Sequence, residues 1–285
     1  MNNKLRDISG RIDPDIVSIL KNITDVTNKL GIPFFVEGAF ARDVIFEHLH
    51  GIHTARATRD IDIGVEVPGW EAFTLLTDTM VSRGHLTATK QPHRFEAVSS
   101  AILIDIVPYG SISDDVKQIS WPPDHERVMS MLGFEEAWQS ALTVRLRKEP
   151  PLDIRVPSMA ALALLKIISW DDAYPHRSRD AEDLYFMLYN CGKTQDMQLT
   201  LYETYPHLLE QEGFDPDLAA IRLLGQEIAQ LVNTRTLHAV QEILFRESEE
   251  IGELRLLRDI AKESINSKFE QALQFLKKLL QGTQG

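Results

Sequence analysis

The chain has 285 residues, 44% of them hydrophobic and 25% charged, with 42 acidic against 30 basic side chains and a formal net charge of −12. Such a composition suits one or two globular domains, and the acidic balance argues against a broad non-specific nucleic-acid surface, leaving nucleic acid only a local basic groove. The single cysteine, Cys191, excludes an intramolecular disulfide and a thiolate zinc cluster. With no secretion-signal pattern and no apolar run near the roughly 20 residues that span a bilayer, the expected setting is cytoplasmic, without a membrane partner.

In chain order, the apolar spacing predicts a helix from about Asp15 to Leu30. "GIPFFVEGAFARDVIFEHLHG" then reads as a turn, a short buried strand, a glycine turn at Gly38 and a helix ending near Gly51. "TRDIDIGVEV" alternates acidic and apolar positions as a strand does, and a helix over "GWEAFTLLTDTMVSRG" follows it. The next strand, Ala101 to Val107, is apolar except for Asp105. Pro122 and Pro123 break the chain, "FEEAWQSA" reads as helix, and "LTVRLRKEPPLDIRVP" as two short strands about a proline-bearing connection. From Ser158 onward every element has helical spacing, including the stretch from Glu253 to Leu280. The expected fold is α/β (α+β): a small mixed-sheet domain over 1–156 and an all-helical domain over 157–285.

Asp60 and Asp62 point the same way from one strand, about 6–7 Å apart. One reading is a half-exposed strand with an acidic outer face, and Glu66 is expected to be a solvated position of that kind. Asp105 shifts the balance, because an unpaired charge on a buried strand costs several kcal/mol and must have a partner or a reason. Three carboxylates from two neighbouring strands would make a hard-oxygen site suited to Mg²⁺, with substrate phosphate completing its shell. Gly38 lies between strand and helix, where backbone N–H groups can cradle a triphosphate, although a glycine there also serves plain turn geometry.

Gly38, the pair Asp60 and Asp62, and Asp105 in an apolar strand together resemble the signature of the DNA polymerase β-like nucleotidyltransferase superfamily. Within it, "FFVEGAFARD", "RATRDIDIGVEV", "LIDIVPYG", "LLKIISW" and "RDAEDL" look most like the AbiEii/AbiGii-type nucleotidyltransferases, known as toxins of abortive-infection systems. The likeness spans roughly residues 33 to 190. It implies transfer of a nucleoside monophosphate from an NTP to an acceptor with release of pyrophosphate, and Mg²⁺, with Mn²⁺ as the alternative, as the metal. Asp60, Asp62 and Asp105 would be the metal ligands, Asp105 also helping to remove the acceptor's proton. The family's glycine is commonly followed by Gly or Ser. Ala39 stands here instead, so only backbone donors are left at that place.

Lys166, the one charge in "MAALALLKIISW", is read either as a lysine reaching the triphosphate, matching a family lysine, or as a side chain snorkelling at a helix edge. Ser178 is the expected N-cap of the next helix, Asp180 matches the family's fourth-motif aspartate, and Asp183 is the alternative to it. Arg42 in the first helical turn and Arg59 before the D-x-D are expected near nucleotide phosphates, Arg56 beside them. The Gly-x-x-x-Arg-Asp pattern is shared with tRNA CCA-adding enzymes, but their Glu-Asp-x-x-Arg motif is absent, since Phe186 ends that run. The acceptor implied is RNA, such as tRNA, or protein, with a protein antitoxin as partner. The alternatives are a small-molecule nucleotidyltransferase of the antibiotic-modifying kind and a catalytically silent binding member of a toxin–antitoxin pair. Lys262, Lys268, Lys277 and Lys278 are candidates to meet RNA phosphates or to be solvated.

Overall fold

A computed structural model gives the fold and describes residues 5–54, 60–249, 252, 254–262 and 267–285. The chain divides into two compact units, Met1–Ser158 and Met159–Gly285, the first mixed α/β and the second helical.

The first unit runs β1 (Arg6–Asp7), α1 (Pro14–Leu30), β2 (Phe34–Glu37), α2 (Gly38–Asp43, continued by a π-helical segment, Val44–Leu49), β3 (Asp60–Glu66), α3 (Trp70–Ser82), β4 (Leu86–Ala88), β5 (Arg94–Ala97), β6 (Leu103–Tyr109), β7 (Gln118–Ser120), β8 (Val128–Ser130), α4 (Phe134–Gln139), β9 (Leu142–Arg147) and β10 (Leu152–Val156). Helix α1 starts where Asp13 accepts a hydrogen bond from the Asp15 N–H ahead of Pro14, and ends at Gly31 in the left-handed conformation. Its apolar stripe, Ile19, Leu20, Ile23 and Val26, is buried.

Among the described residues, the central sheet has the order β2-β3-β6-β5-β4, with β3 antiparallel to β2 and parallel to β6. One face of β3 and β6 is apolar and buried through Ile61, Ile63, Val65, Ile104 and Ile106. On the other face Gly64 makes room for an aromatic cluster. A Cβ there would stand 2.7 Å from the Phe35 ring, and the Phe35, Tyr109 and Phe134 rings pack with centroids 5.5 to 6.0 Å apart. The aromatic packing fills one end of this face and leaves the acids at the other.

The second unit comprises α5 (Met159–Asp172), α6 (Ser178–Asn190), a 3₁₀ turn (Cys191–Lys193), α7 (Gln195–Glu203), α8 (Pro206–Gln211), α9 (Pro216–Leu231), α10 (Thr234–Ser248), α11 (Arg255–Ala261) and α12 (Ser267–Thr283). Asp215 and Asn233 cap α9 and α10, each side chain accepting from two backbone N–H groups of the first turn. Ser178 is the first helical residue of α6 rather than its cap; Arg177 holds the cap position and makes no side-chain cap bond. The long helical stretch expected from residue 253 onward is divided into α11 and α12.

Helices α9 and α12 meet at two glycines. A Cβ on Gly282 would overlap the Arg222 carbonyl oxygen, and one on Gly225 that of Leu279, so the backbones touch where no side chain fits. Gly282→Ala is therefore expected to push the helices apart at a cost of about 1–3 kcal/mol, seen as a lowered thermal midpoint. An unchanged midpoint would show that the crossing tolerates a methyl group.

Candidate active site

The sheet register aligns four ionisable residues in one row across four strands. Glu37 on β2 pairs with Asp62 on β3, Asp62 with Asp105 on β6, and Asp105 with Arg94 on β5. Neighbouring strands lie about 4.8 Å apart and paired residues share a face, so three carboxylates and one guanidinium form a continuous polar line. Asp60 joins the same face two residues before Asp62. Glu37 and Asp105 are each 9% exposed, whereas Asp60 and Asp62 are half-buried and Glu66 is exposed.

The partner of Asp105 is Arg94. Arg94 Nε donates to Asp105 Oδ1 at 2.7 Å and its terminal nitrogen to Oδ2 at 2.6 Å, a two-point fork that occupies both carboxylate oxygens. The guanidinium is held above its ordinary value first by these hydrogen bonds to Asp105, then by the charge of Asp105 and those of Asp60 and Asp62, which outweigh its partial burial. Both members of the D-x-D therefore lie within the field of Arg94. The burial of Asp105, which in the sequence called for a partner or a ligand, is answered here by this ion pair.

The donor chemistry of Asp60, Asp62 and Asp105 is that of a hard-cation site, but their placement is not. Among the described residues no group of three or more His, Cys, Asp or Glu side chains is arranged to hold a metal ion. As they stand, the three carboxylates do not fit a closed three-ligand site, because the third faces Arg94.

Gly38 closes the row from the β2 side. Its φ is 68°, in the left-handed region, and a Cβ there would overlap the Asp62 carboxylate. The glycine turn and the second aspartate of the D-x-D are thus in direct contact, with Gly38 and Ala39 half-buried at the start of α2. Gly38→Ala is expected to strain the turn by about 1–2 kcal/mol and to displace the Asp62 carboxylate. Any activity that depends on the Asp62 carboxylate should then fall far more than thermal stability does. Full activity in this variant would show that the contact has no functional weight.

The remaining expected site residues are placed differently. Arg42 is 4% exposed and donates from Nε and a terminal nitrogen to Asp43 Oδ1, at 2.9 and 2.6 Å, which commits it to its buried neighbour rather than to an open phosphate site. Arg59 and Arg56 lie outside the described residues. In the helical unit Lys166 is 6% exposed and donates to Asp180 Oδ1 and Asp183 Oδ2, both at 2.7 Å. It is neither at a helix edge nor without a partner, and Asp180 and Asp183, three residues apart on α6, share it. Burial works against its charge, but the two carboxylates prevail and hold the ammonium above its ordinary value.

The lysines expected at an RNA surface are also engaged. Lys262 pairs with Glu182, Lys278 Nζ lies 2.6 Å from Glu212, and Lys268 Nζ stands 4.9 Å from the centre of the Tyr185 ring. On the other unit Arg145 forks onto Asp153 at 2.8 and 2.9 Å.

Sequence reasoning missed Arg94 and Glu37. The signal for Arg94 was the four-residue alternation Arg-Phe-Glu-Ala, with Phe95 and Ala97 buried and Arg94 facing the acids. The signal for Glu37 was its place immediately before the glycine turn, at the end of a strand otherwise apolar.

No protein-family model matches the chain, and no curated protein sequence does. Comparison with solved structures finds low similarity to several. The solution structure of the antibiotic-resistance factor ANT(2'')-Ia is 12% identical over 71% of this chain and 98% of that chain, with a TM-score of 0.35. A CCA-adding enzyme in complex with ATP is 16% identical over 92% of this chain and 66% of that chain, with a TM-score of 0.32. The Thermotoga maritima CCA-adding enzyme complexed with tRNA is 14% identical over 96% and 82% respectively, with a TM-score of 0.26. Scores this low carry no argument about fold or activity.

Proposed function

We propose that this protein transfers a nucleoside monophosphate from an NTP to an acceptor hydroxyl. The acceptor oxygen attacks the α-phosphorus, the bond from that phosphorus to the β-phosphate oxygen breaks, and pyrophosphate leaves. The observation that carries this reading is the contact between the Gly38 turn and Asp62. It joins in space two sequence features that such chemistry uses together, a glycine turn at the start of a helix and a pair of carboxylates on one strand face. A carboxylate of the row would take the proton of the attacking hydroxyl. Mg²⁺ or Mn²⁺ belongs to the reading as the hard cation that Asp60 and Asp62 suit, and it would supply charge neutralisation at the phosphates.

The acceptor in this proposal is RNA, tRNA foremost, or protein, and the chain is a toxin-type member held in check by an antitoxin protein; the support is the likeness of its motifs to AbiEii/AbiGii-type enzymes. A second reading, a small hydroxyl-bearing acceptor, is favoured by the engagement of Lys262, Lys268 and Lys278 with partners inside their own unit, which reduces the cationic surface offered to a polyanion. Among the described residues no helix is long and apolar enough to cross a membrane.

The test is to incubate the protein with Mg²⁺ and each α-labelled NTP in turn, offering tRNA, protein extract or small amino-alcohols as acceptors. Label in the tRNA or protein fraction supports the first reading, and label in the small-molecule fraction the second. Label in none, with every nucleotide, would contradict both.

A further inference from the structure

The sheet β1-β9-β10 carries two arginines on one face with unlike surroundings. Arg145 lies in register with Asp153 on β10 and with Asp7 on β1. Its Nε and Nη2 fork the Asp153 carboxylate at 2.8 and 2.9 Å, and these bonds, then the charges of Asp153 and Asp7, hold the guanidinium above its ordinary value. Arg155 shares the face of Asp153, two residues further along β10, and lies in register with Thr143, to whose Oγ1 its Nη1 donates at 3.1 Å. Its Nε is covered and makes no hydrogen bond. Burial moves this guanidinium below its ordinary value, and no carboxylate among the described residues offsets it.

Composition does not explain an arginine without an acid, since the chain has 42 acidic side chains against 30 basic ones. Arg155 is nevertheless held in one place. Its guanidinium lies 5.2 Å from the centre of the Trp138 ring, a cation–π stack. Ser158 Oγ donates to Ser140 Oγ at 3.3 Å, which ties the end of α4, beside Trp138, to the chain just beyond β10. In Arg94 and Arg145 the edge formed by Nε and Nη2 forks a carboxylate, and in Arg42 it is turned to Asp43. In Arg155 the same edge makes no hydrogen bond among the described residues, and the side chain is half-buried rather than closed off.

We propose that Arg155, stacked on Trp138 and steadied by Thr143, is a binding site for one carboxylate group of a small ligand, taken by its Nε–Nη2 edge. Two carboxylate oxygens match the spacing of that edge, and a guanidinium already laid on a ring has little freedom left to lose when it binds. The carboxylate meets the solvent end of the side chain first and engages Nε as the guanidinium slides along the indole face. A run of phosphates suits the place less well, because Asp7 and Asp153 lie on the same sheet face and repel a polyanion. The proposal is independent of nucleotidyl transfer, since Asp60, Asp62 and Asp105 belong to the other sheet.

The probe is acetate, titrated into the full chain at constant ionic strength in exchange for chloride and followed by the arginine Nε–H magnetic resonance signal that Arg155→Gln removes. That signal should shift and saturate at millimolar acetate, with inorganic phosphate binding more weakly. Arg155→Lys keeps the charge but loses the edge, and should bind acetate about tenfold more weakly, read at the Trp138 indole N–H. Arg155→Met keeps a stem on Trp138 and removes a charge that no acid offsets. Its thermal midpoint should hold or rise, and acetate, which raises the wild-type midpoint, should no longer do so. A guanidinium that serves packing alone gives the reverse, a lower midpoint for Arg155→Met and an Nε–H signal that acetate leaves in place, and that result overturns the proposal. A shift that grows without saturating, or phosphate binding tighter than acetate, overturns the assignment to a carboxylate. Should Arg155→Met fail to fold, the wild-type titration and Arg155→Lys decide between the same outcomes.

Discussion

Replacing Asp62 by asparagine is expected to reduce the proposed nucleotidyl transfer by about 10²–10³-fold or more, the scale on which removal of one preorganised charge-stabilising group acts. Asparagine has nearly the volume of aspartate, so the packing against Gly38 is kept. The charge is lost from the middle of a row that holds Glu37 on one side and Asp105 on the other. Relief of like-charge repulsion should leave the thermal midpoint unchanged or raise it. Activity and stability would thus move independently, or in opposite directions, which a purely structural aspartate would not produce. Parallel loss of both would place Asp62 in the framework of the sheet instead.

The second large effect is expected at Lys166. Methionine at this position keeps much of the aliphatic stem and removes the ammonium, leaving Asp180 and Asp183 with side-chain exposures of 5% and 6% and their shared cation gone. Breaking a buried ion pair from one side costs about 3–5 kcal/mol, a large part of the 5–15 kcal/mol that holds a domain together. The midpoint should fall on the order of 10 °C. Adding Asp180→Asn and Asp183→Asn removes the negative charge that Lys166 offset and should restore part of that loss, although Asp180 also pairs with Arg177, whose Nε lies 2.9 Å from its Oδ2. The pH dependence has a definite sign. Because burial is outweighed by the two carboxylates and the folded value lies above the ordinary 10.5 of lysine, the contribution of this ammonium is fully present below that pH and is lost only as the pH rises through the folded value. The same triple variant asks whether Lys166 also serves the nucleotide. Recovered stability with unchanged NTP affinity assigns the three side chains to the fold alone, and recovered stability with lost affinity gives the Lys166, Asp180 and Asp183 cluster a part in nucleotide binding as well.

The fold class and the position of the acids were legible in the sequence, because period-two alternation in Asp60 to Glu66 and the apolar run around Asp105 are strong local signals. The glycine turn was legible for the same reason, a glycine between a buried strand and a helix. What the sequence hid was pairing. Asp105 required a partner, but that partner sits eleven residues earlier on a four-residue strand whose existence depends on lying beside β6. Lys166 likewise announced an unusual buried charge, and the two aspartates that hold it follow only after a turn, the first of them in a first helical turn where an acid has its own explanation. Arg42 beside Asp43 looked available to phosphate because adjacent residues seldom reveal from sequence that they are buried together. Strand order and salt-bridge choice are properties of tertiary packing, and no local pattern specifies them.

The proposed reaction makes a nucleotidyl rather than a phosphoryl bond. It is tested most directly by running the reaction twice with the NTP that proves active, once labelled at the α-phosphorus and once at the γ-phosphorus, with wild type and Asp62→Asn side by side. The α-label is expected to enter the acceptor and the γ-label to leave as pyrophosphate in equal amount, with Asp62→Asn strongly impaired in both. Transfer of the γ-label to the acceptor, or α-label transfer that Asp62→Asn performs as well as wild type, would contradict it.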